Sequence, residues 1–148
     1  MSFFDSIDLA ASGLTAERVR MDVTAENLAN AQTTNGPGGQ PYRRQEVVLQ
    51  QVGGQPFSSQ LAGAMGTSTS STPGGVEVGG IVNDPTPDQL VYDPGHPGAN
   101  AQGYVRMPNV NSVTEMTDLI SESDSYQADV TAMNTAKTMY SKTLDLLK

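Results

Sequence analysis

A lone histidine, His96, stands three residues after Asp93 in the run Tyr92-Asp93-Pro94-Gly95-His96-Pro97. A Ser-His-Asp hydrolase would need that imidazole oriented by the carboxylate and within reach of a nucleophile. Here it is pinned between Gly95 and Pro97, two turn-forming residues, so it reads as local structure. Asp84, Asp88 and Asp93 carry hard oxygen donors, but their spacing does not reproduce the alternate-residue ligands and central glycine of a calcium loop. Aspartate directly ahead of Pro85 and Pro94 reads instead as turn formation. The pairs Gly74-Gly75 and Gly79-Gly80 lack the helix and lysine that complete a phosphate cradle. Tyr126 and Tyr140 could be acids, yet their seven-residue step makes them packing residues whose hydroxyls reach a neighbour. Arg43-Arg44 has no basic company and reads as half of a surface or inter-subunit ion pair, not a nucleic-acid patch. The chain has no cysteine. No catalytic constellation, metal site or cofactor is expected.

The elements that must carry these residues begin with a helix over residues 2 to about 31, free of proline and holding a single glycine, Gly13. Ile7, Leu14, Met21 and Leu28 recur every seven residues, the spacing of a coiled-coil seam, with small alanines beside them that admit a close neighbour. Ser2 and Asp5 suggest its cap. The run from Gln32 to Gln40 ends it through Asn35-Gly36-Pro37. A second helix follows Asn109, with Ser112 and Glu115 as a capping box, acids toward its front and Lys137, Lys142 and Lys148 toward its rear. Leu119, Tyr126, Met133, Tyr140 and Leu147 again recur at sevens, flanked by Met116, Val130 and Leu144.

Between the helices, Arg43 to Val52, Gly75 to Asn83 and Gln89 to Tyr92 alternate enough to predict two or three short strands. Residues 50–75, rich in Gly, Ser and Thr, read as a flexible linker without secondary structure. The fold class is therefore mainly α with a small β module. Residues 1–34 and 109–148 form a discontinuous helical domain, a coiled-coil-like pair. Residues 35–108 form a β and irregular module.

Eight Lys and Arg face 16 Asp and Glu among 148 residues, a net charge of −8. That balance argues against a nucleic-acid groove or an anionic membrane surface. Leu, Ile, Val and Phe make up about one fifth of the chain, the composition at which burial barely offsets chain entropy. The seam residues are accordingly expected to pack against other subunits, with helices weakly ordered in the free monomer. No cleavable signal peptide and no membrane insertion are expected.

Several segments resemble one family. Ala11-Ser12-Gly13-Leu14-Thr15-Ala16 and Asn27-Leu28-Ala29-Asn30 are similar to the signature shared by flagellar rod and hook proteins. Asp84-Pro85-Thr86-Pro87, Leu90-Val91-Tyr92-Asp93-Pro94-Gly95-His96-Pro97 and Gly103-Tyr104-Val105-Arg106-Met107-Pro108-Asn109 resemble the run that sets apart the proximal rod family of the bacterial flagellar basal body, usually called FlgC. The resemblance implies a non-enzymatic subunit of a helical tube, the drive shaft from motor to hook. Implied partners are the other proximal rod subunits, the adaptor to the membrane ring, the distal rod protein and copies of itself. It further implies export through the flagellar type III apparatus to a rod crossing the periplasm. Glu26 stands where relatives often carry an amide. A secreted adhesin-like or pilus-type module, its β part meeting a ligand, is the competing reading.

Overall fold

Without proline to interrupt it, the first segment runs as one helix, α1 (Phe3–Ala29). It closes with Asn30, whose Nδ2 donates to the Glu26 carbonyl at 3.0 Å while its Oδ1 accepts from the Thr33 hydroxyl at 3.1 Å. The computed structural model describes residues 3–36, 38–52 and 74–145. Ser2, the expected cap, falls outside them, as do residues 53–73, most of the expected linker.

Four strands follow: β1 (Gln45–Gln51), β2 (Val76–Asn83), β3 (Gln89–Tyr92) and β4 (Tyr104–Met107). They form two separate two-stranded antiparallel sheets, β1 with β2 and β3 with β4. In the first, Val47 opposes Ile81 and Leu49 opposes Val78, with an irregularity between Val48 and Leu49 that turns Leu49 and Val76 toward α1. Gln50 and Gln51, where the expected strand and the expected linker overlap, belong to β1, and the Val52 N–H donates to the Gly75 carbonyl at 2.8 Å. Strand β4 was not expected at all. It pairs in register with β3, Tyr92 opposite Tyr104, their rings edge to face at 5.3 Å.

The second helix, α2 (Ser112–Asp145), begins one residue away from the expected box. Asn111, not Ser112, is the cap: its Oδ1 accepts from the amides of Val113 at 3.0 Å and Thr114 at 3.4 Å. Glu115 does not reach back to complete a box, because its carboxylate is drawn under α1 and is 1% exposed.

Helix α1 is the centre of the fold, packing on α2 along one side and on β1 and β2 along another. The two helices run antiparallel, since Asn27 meets Glu115, Arg20 meets Glu122 and Gly13 meets Asp129. At that offset the last turns of α2 project past the start of α1. Gly13 is what lets Asp129 lie so close: a Cβ there would sit 2.9 Å from the carboxylate oxygen Oδ2. The apolar core is thin. Among the described residues, the buried hydrophobic side chains named as core are Ala16, Val23, Val105 and Val110, with Pro108 buried beside them.

Candidate assembly surface and its polar clasp

The seam between the helices is polar where a coiled coil would be apolar. Among the described residues, the buried positions on α1 are Ala16, Val23, Thr24 and Asn27, and on α2 they are Glu115 and Glu122. Ile7, Leu14, Met21 and Leu28 lie half-buried beside this line, as do Leu119, Tyr126, Val130 and Met133. Met116, Tyr140 and Leu144 are exposed, and Leu147 falls outside the described residues.

Asn27 uses its whole amide. Nδ2 donates to the Gln45 carbonyl at 2.9 Å and to Glu115 Oε2 at 3.1 Å. Oδ1 accepts from the Tyr42 hydroxyl and from the Gln45 amide, both at 2.9 Å. A side chain 1% exposed is thereby satisfied at both ends, as burial requires. The clasp then extends through Arg44, whose Nε donates to Glu115 Oε1 at 2.6 Å and whose backbone N–H donates to Asn109 Oδ1 at 2.9 Å. Asn109 Nδ2 donates to the Thr86 hydroxyl at 2.8 Å, and the Thr86 amide and hydroxyl both donate to Asp84 Oδ1. Arg44 also pairs with Glu46 and, more loosely, with Asp84 and Asp118. One polar chain thus ties α1, the approach to β1, the link between the two sheets and the start of α2.

These contacts set the titration of its members. Burial, with Glu26 and Glu115 nearby, pushes the Tyr42 phenol up to about 12. Burial opposes the charge on Arg44, but its bonds to Glu115 and Glu46 outweigh that and raise it. The Thr86 amide and hydroxyl hold Asp84 below the usual carboxylate range, with Arg44 adding to the effect. Burial raises Glu122, against the opposing influence of the Thr24 hydroxyl bond and Arg20.

The signature residues fall into two groups. Asn27 and Asn109 belong to the clasp, while Asn30 finishes its own helix. Tyr92 to Pro97 and Gly103 to Val105 shape the β3–β4 hairpin. There the Gly95 amide donates to Asp93 Oδ1 at 3.1 Å and the Gly98 amide donates to His96 Nδ1 at 3.0 Å, so both side chains build the turn. Gly103 has φ +82°, and a Cβ on it would meet the Tyr92 ring at 2.8 Å. Pro94 flanks that glycine, Pro97 follows on the exposed turn, and Val105 and Pro108 carry the hairpin's base into the core.

Sequence reasoning placed Arg43-Arg44 in a surface or inter-subunit pair. Arg43 does face Asp88 across 3.9 Å at the surface, but Arg44 is bound within the chain. The acids of the seam were read only as complements to the helix dipole. Their step of seven, Glu115, Glu122, Asp129, was the signal that they share one face.

Away from the seam, Val113, Met116 and Ile120 are 74%, 52% and 65% exposed and form a continuous apolar stripe on α2. Such a stripe marks a surface meant to be covered. No helix of the described residues is long and apolar enough to cross a membrane, and among them no three acidic or histidine side chains converge as metal ligands.

Terminal helices with a bare apolar stripe, tied around a small β module, define a packing subunit, and the class is that of the flagellar rod and hook. Residues 7–37 match the family described as flagella basal body rod protein, and residues 101–146 match the C-terminal region of flagellar basal body rod FlgEFG proteins. Flagellar basal-body rod protein FlgC of Yersinia enterocolitica is 48% identical over 146 residues, covering 99% of this chain and 98% of its own. That of Bacillus subtilis is 48% identical over 152 residues, covering both chains fully, and that of Borreliella burgdorferi is 39% identical over 158. The chain belongs to the FlgC family of flagellar basal-body rod proteins. It is a structural component and not an enzyme, and the adhesin or pilus reading gains no support from these relatives.

Proposed function

We propose that the chain is a proximal rod subunit whose helices, residues 1–34 and 109–148, supercoil as a pair and pack side by side with those of neighbouring subunits around a channel. The β module, residues 35–108, then lies outside. Neighbours are the other proximal rod proteins, the adaptor to the membrane ring, the distal rod protein and further copies of the chain. Delivery is by the flagellar type III export apparatus, to a rod crossing the periplasm. Head-to-tail contacts that do not close into a ring propagate helically, and a wall of packed helices resists the torsion that a drive shaft carries.

The observation that carries this reading is the Val113, Met116 and Ile120 stripe beside a seam already occupied by polar groups. With so little apolar area inside, the helices gain their remaining burial, and much of their order, from neighbours. Ile120→Asp places a charge on that stripe without touching the clasp. The variant is expected to be exported and to give the same circular dichroism as the parent chain, yet to be absent from purified basal bodies, leaving cells non-motile. Normal incorporation and swimming would sink the proposal.

A further inference from the structure

In the β3–β4 ladder Leu90 stands opposite Arg106 and Tyr92 opposite Tyr104, so these four side chains share one face of the hairpin. The other face carries Val105, which is buried in the core. Leu90, Tyr92 and Tyr104 are 64%, 65% and 43% exposed, and Arg106 is exposed beside them. Tyrosine and arginine around an aliphatic side chain is the composition of an interface centre. The face is also fixed in shape before anything meets it, by the left-handed Gly103 and the edge-to-face rings.

Arg106 makes no ion pair or hydrogen bond with a described residue, whereas Arg20, Arg43 and Arg44 are all paired. A pocket of about 480 Å³ beside it, bordered by Asn35, His96 and Asn100, has no carboxylate among its described lining residues. His96 Nδ1 and Asn100 Oδ1 both accept from backbone amides, which leaves the imidazole Nε2–H and the Asn100 Nδ2 as donors. In a chain of net charge −8, this corner lacks an acid.

Helix α2 supplies the complement. Val113, Met116 and Ile120 are followed one turn later by Asp124, and steps of three and four residues keep all four on one exposed face. Asp124 makes no ion pair or hydrogen bond with a described residue. The residues one turn to either side of it, Ile120, Ser121, Gln127 and Ala128, carry no positive charge. The stripe thus ends in an unpaired carboxylate, as the hairpin face ends in an unpaired guanidinium.

We propose that the α2 stripe of one copy lies on the β3–β4 face of the next, with Asp124 paired to Arg106 and the apolar side chains of the two rows covering each other. The proposal rests on the reading that rod subunits pack through the stripe, and it names the surface that meets it. One helical turn from Asp124 to Ile120 rises about 5.4 Å, and two strand residues from Arg106 to Tyr104 span about 7 Å, so the rows keep pace. The two surfaces are different parts of the chain, so the contact is heterologous and repeats from copy to copy. A second copy suits the site better than a small carboxylate, which would leave the three large side chains beside Arg106 bare.

Exchange of the charges tests the pair. Arg106→Asp and Asp124→Arg both lie at the surface away from the clasp. Each should lower incorporation into purified basal bodies by about tenfold while leaving the circular dichroism of the chain unchanged. The double variant restores the pair with its signs exchanged and should incorporate within about twofold of the parent. Normal incorporation of either single variant, or a double variant as poor as the worse single, overturns the pairing.

A photo-cross-linking residue at Leu90 locates the contact in assembled basal bodies, and should join the chain to residues 113–124 of a second copy. Capture of a different protein, or of nothing, overturns contact between copies through this face. If Ile120→Asp is still excluded from basal bodies, the rod reading stands without it. Normal incorporation of Ile120→Asp and of both charge variants removes the two readings together.

Discussion

Truncating Asn27 to alanine would strand four groups at once. The Gln45 amide and carbonyl, the Tyr42 hydroxyl and Glu115 Oε2 all lose the bond that the amide supplies. An orphaned buried group costs about 1–3 kcal/mol. Tyr42 can turn toward water, which leaves two or three groups unserved and a loss of about 3–5 kcal/mol, a large share of the ~5–15 kcal/mol that holds a domain together. Asn27→Asp is the sharper probe, because it keeps the shape and an oxygen that accepts from Tyr42 and Gln45. It replaces the donor facing Glu115 with a second carboxylate at the 3.1 Å contact. Paired acids share a raised folded pKa, so the excess penalty over alanine is full at neutral pH. It disappears as the pH falls toward the unfolded carboxylate range near ~4. Urea unfolding by far-ultraviolet circular dichroism, in an osmolyte that strengthens burial, measures both variants from pH 7 to pH 4.5. A loss below about 1 kcal/mol for alanine, or an aspartate excess that ignores pH, would refute the view that this amide holds the subunit together.

Two further perturbations probe its surroundings. Tyr42, raised to about 12, stays neutral in the fold after the unfolded chain has begun to ionise, so stability should fall as the pH climbs from about 10 to about 12. Tyr42→Phe should flatten that limb and cost about 1 kcal/mol at neutral pH, and an unchanged alkaline limb would count against the buried phenol. Gly103→Ala forces a side chain into a left-handed conformation and against the Tyr92 ring. It should cost about 1–2 kcal/mol and weaken the tyrosine near-ultraviolet signal of the hairpin, which an unperturbed spectrum would contradict.

Both helices could be read because their cause is local. No proline interrupts either one, and the first is closed by Asn30 ahead of a run, Gln32 to Gln40, that does not favour helix. The polar seam could not, since an acid on one helix gains meaning only from what lies across it. Glu115 looks like half of a capping box until Asn27 and Arg44 arrive from elsewhere. Asn111 and Ser112 are both good caps, and the path out of the β3–β4 hairpin decides between them. Strand β4 was obscured for a similar reason. Its partner lies on the far side of a turn crowded with Pro94, Gly95, Pro97 and Gly98, residues that announce a loop and hide the ladder beyond it. From sequence Asn27 reads as part of the family signature or as a cap at the end of the first helix, and Asn109 as part of that signature; nothing in their neighbours in the sequence shows that they bond in opposite arms of one clasp.

The reach of that clasp along the chain governs timing. The bond from Asn27 to Glu115 joins residues 88 positions apart, and the Thr24 bond to Glu122 spans 98. Contacts between such distant partners form late and slowly. A polypeptide emerging with its first residue leading can join Asn27 to Tyr42 and Gln45 early, but its two helices cannot be fastened to each other by Asn27 until Glu115 has followed, when more than three-quarters of it is already out. The fastening of one helix to the other is therefore the last part of the fold to lock.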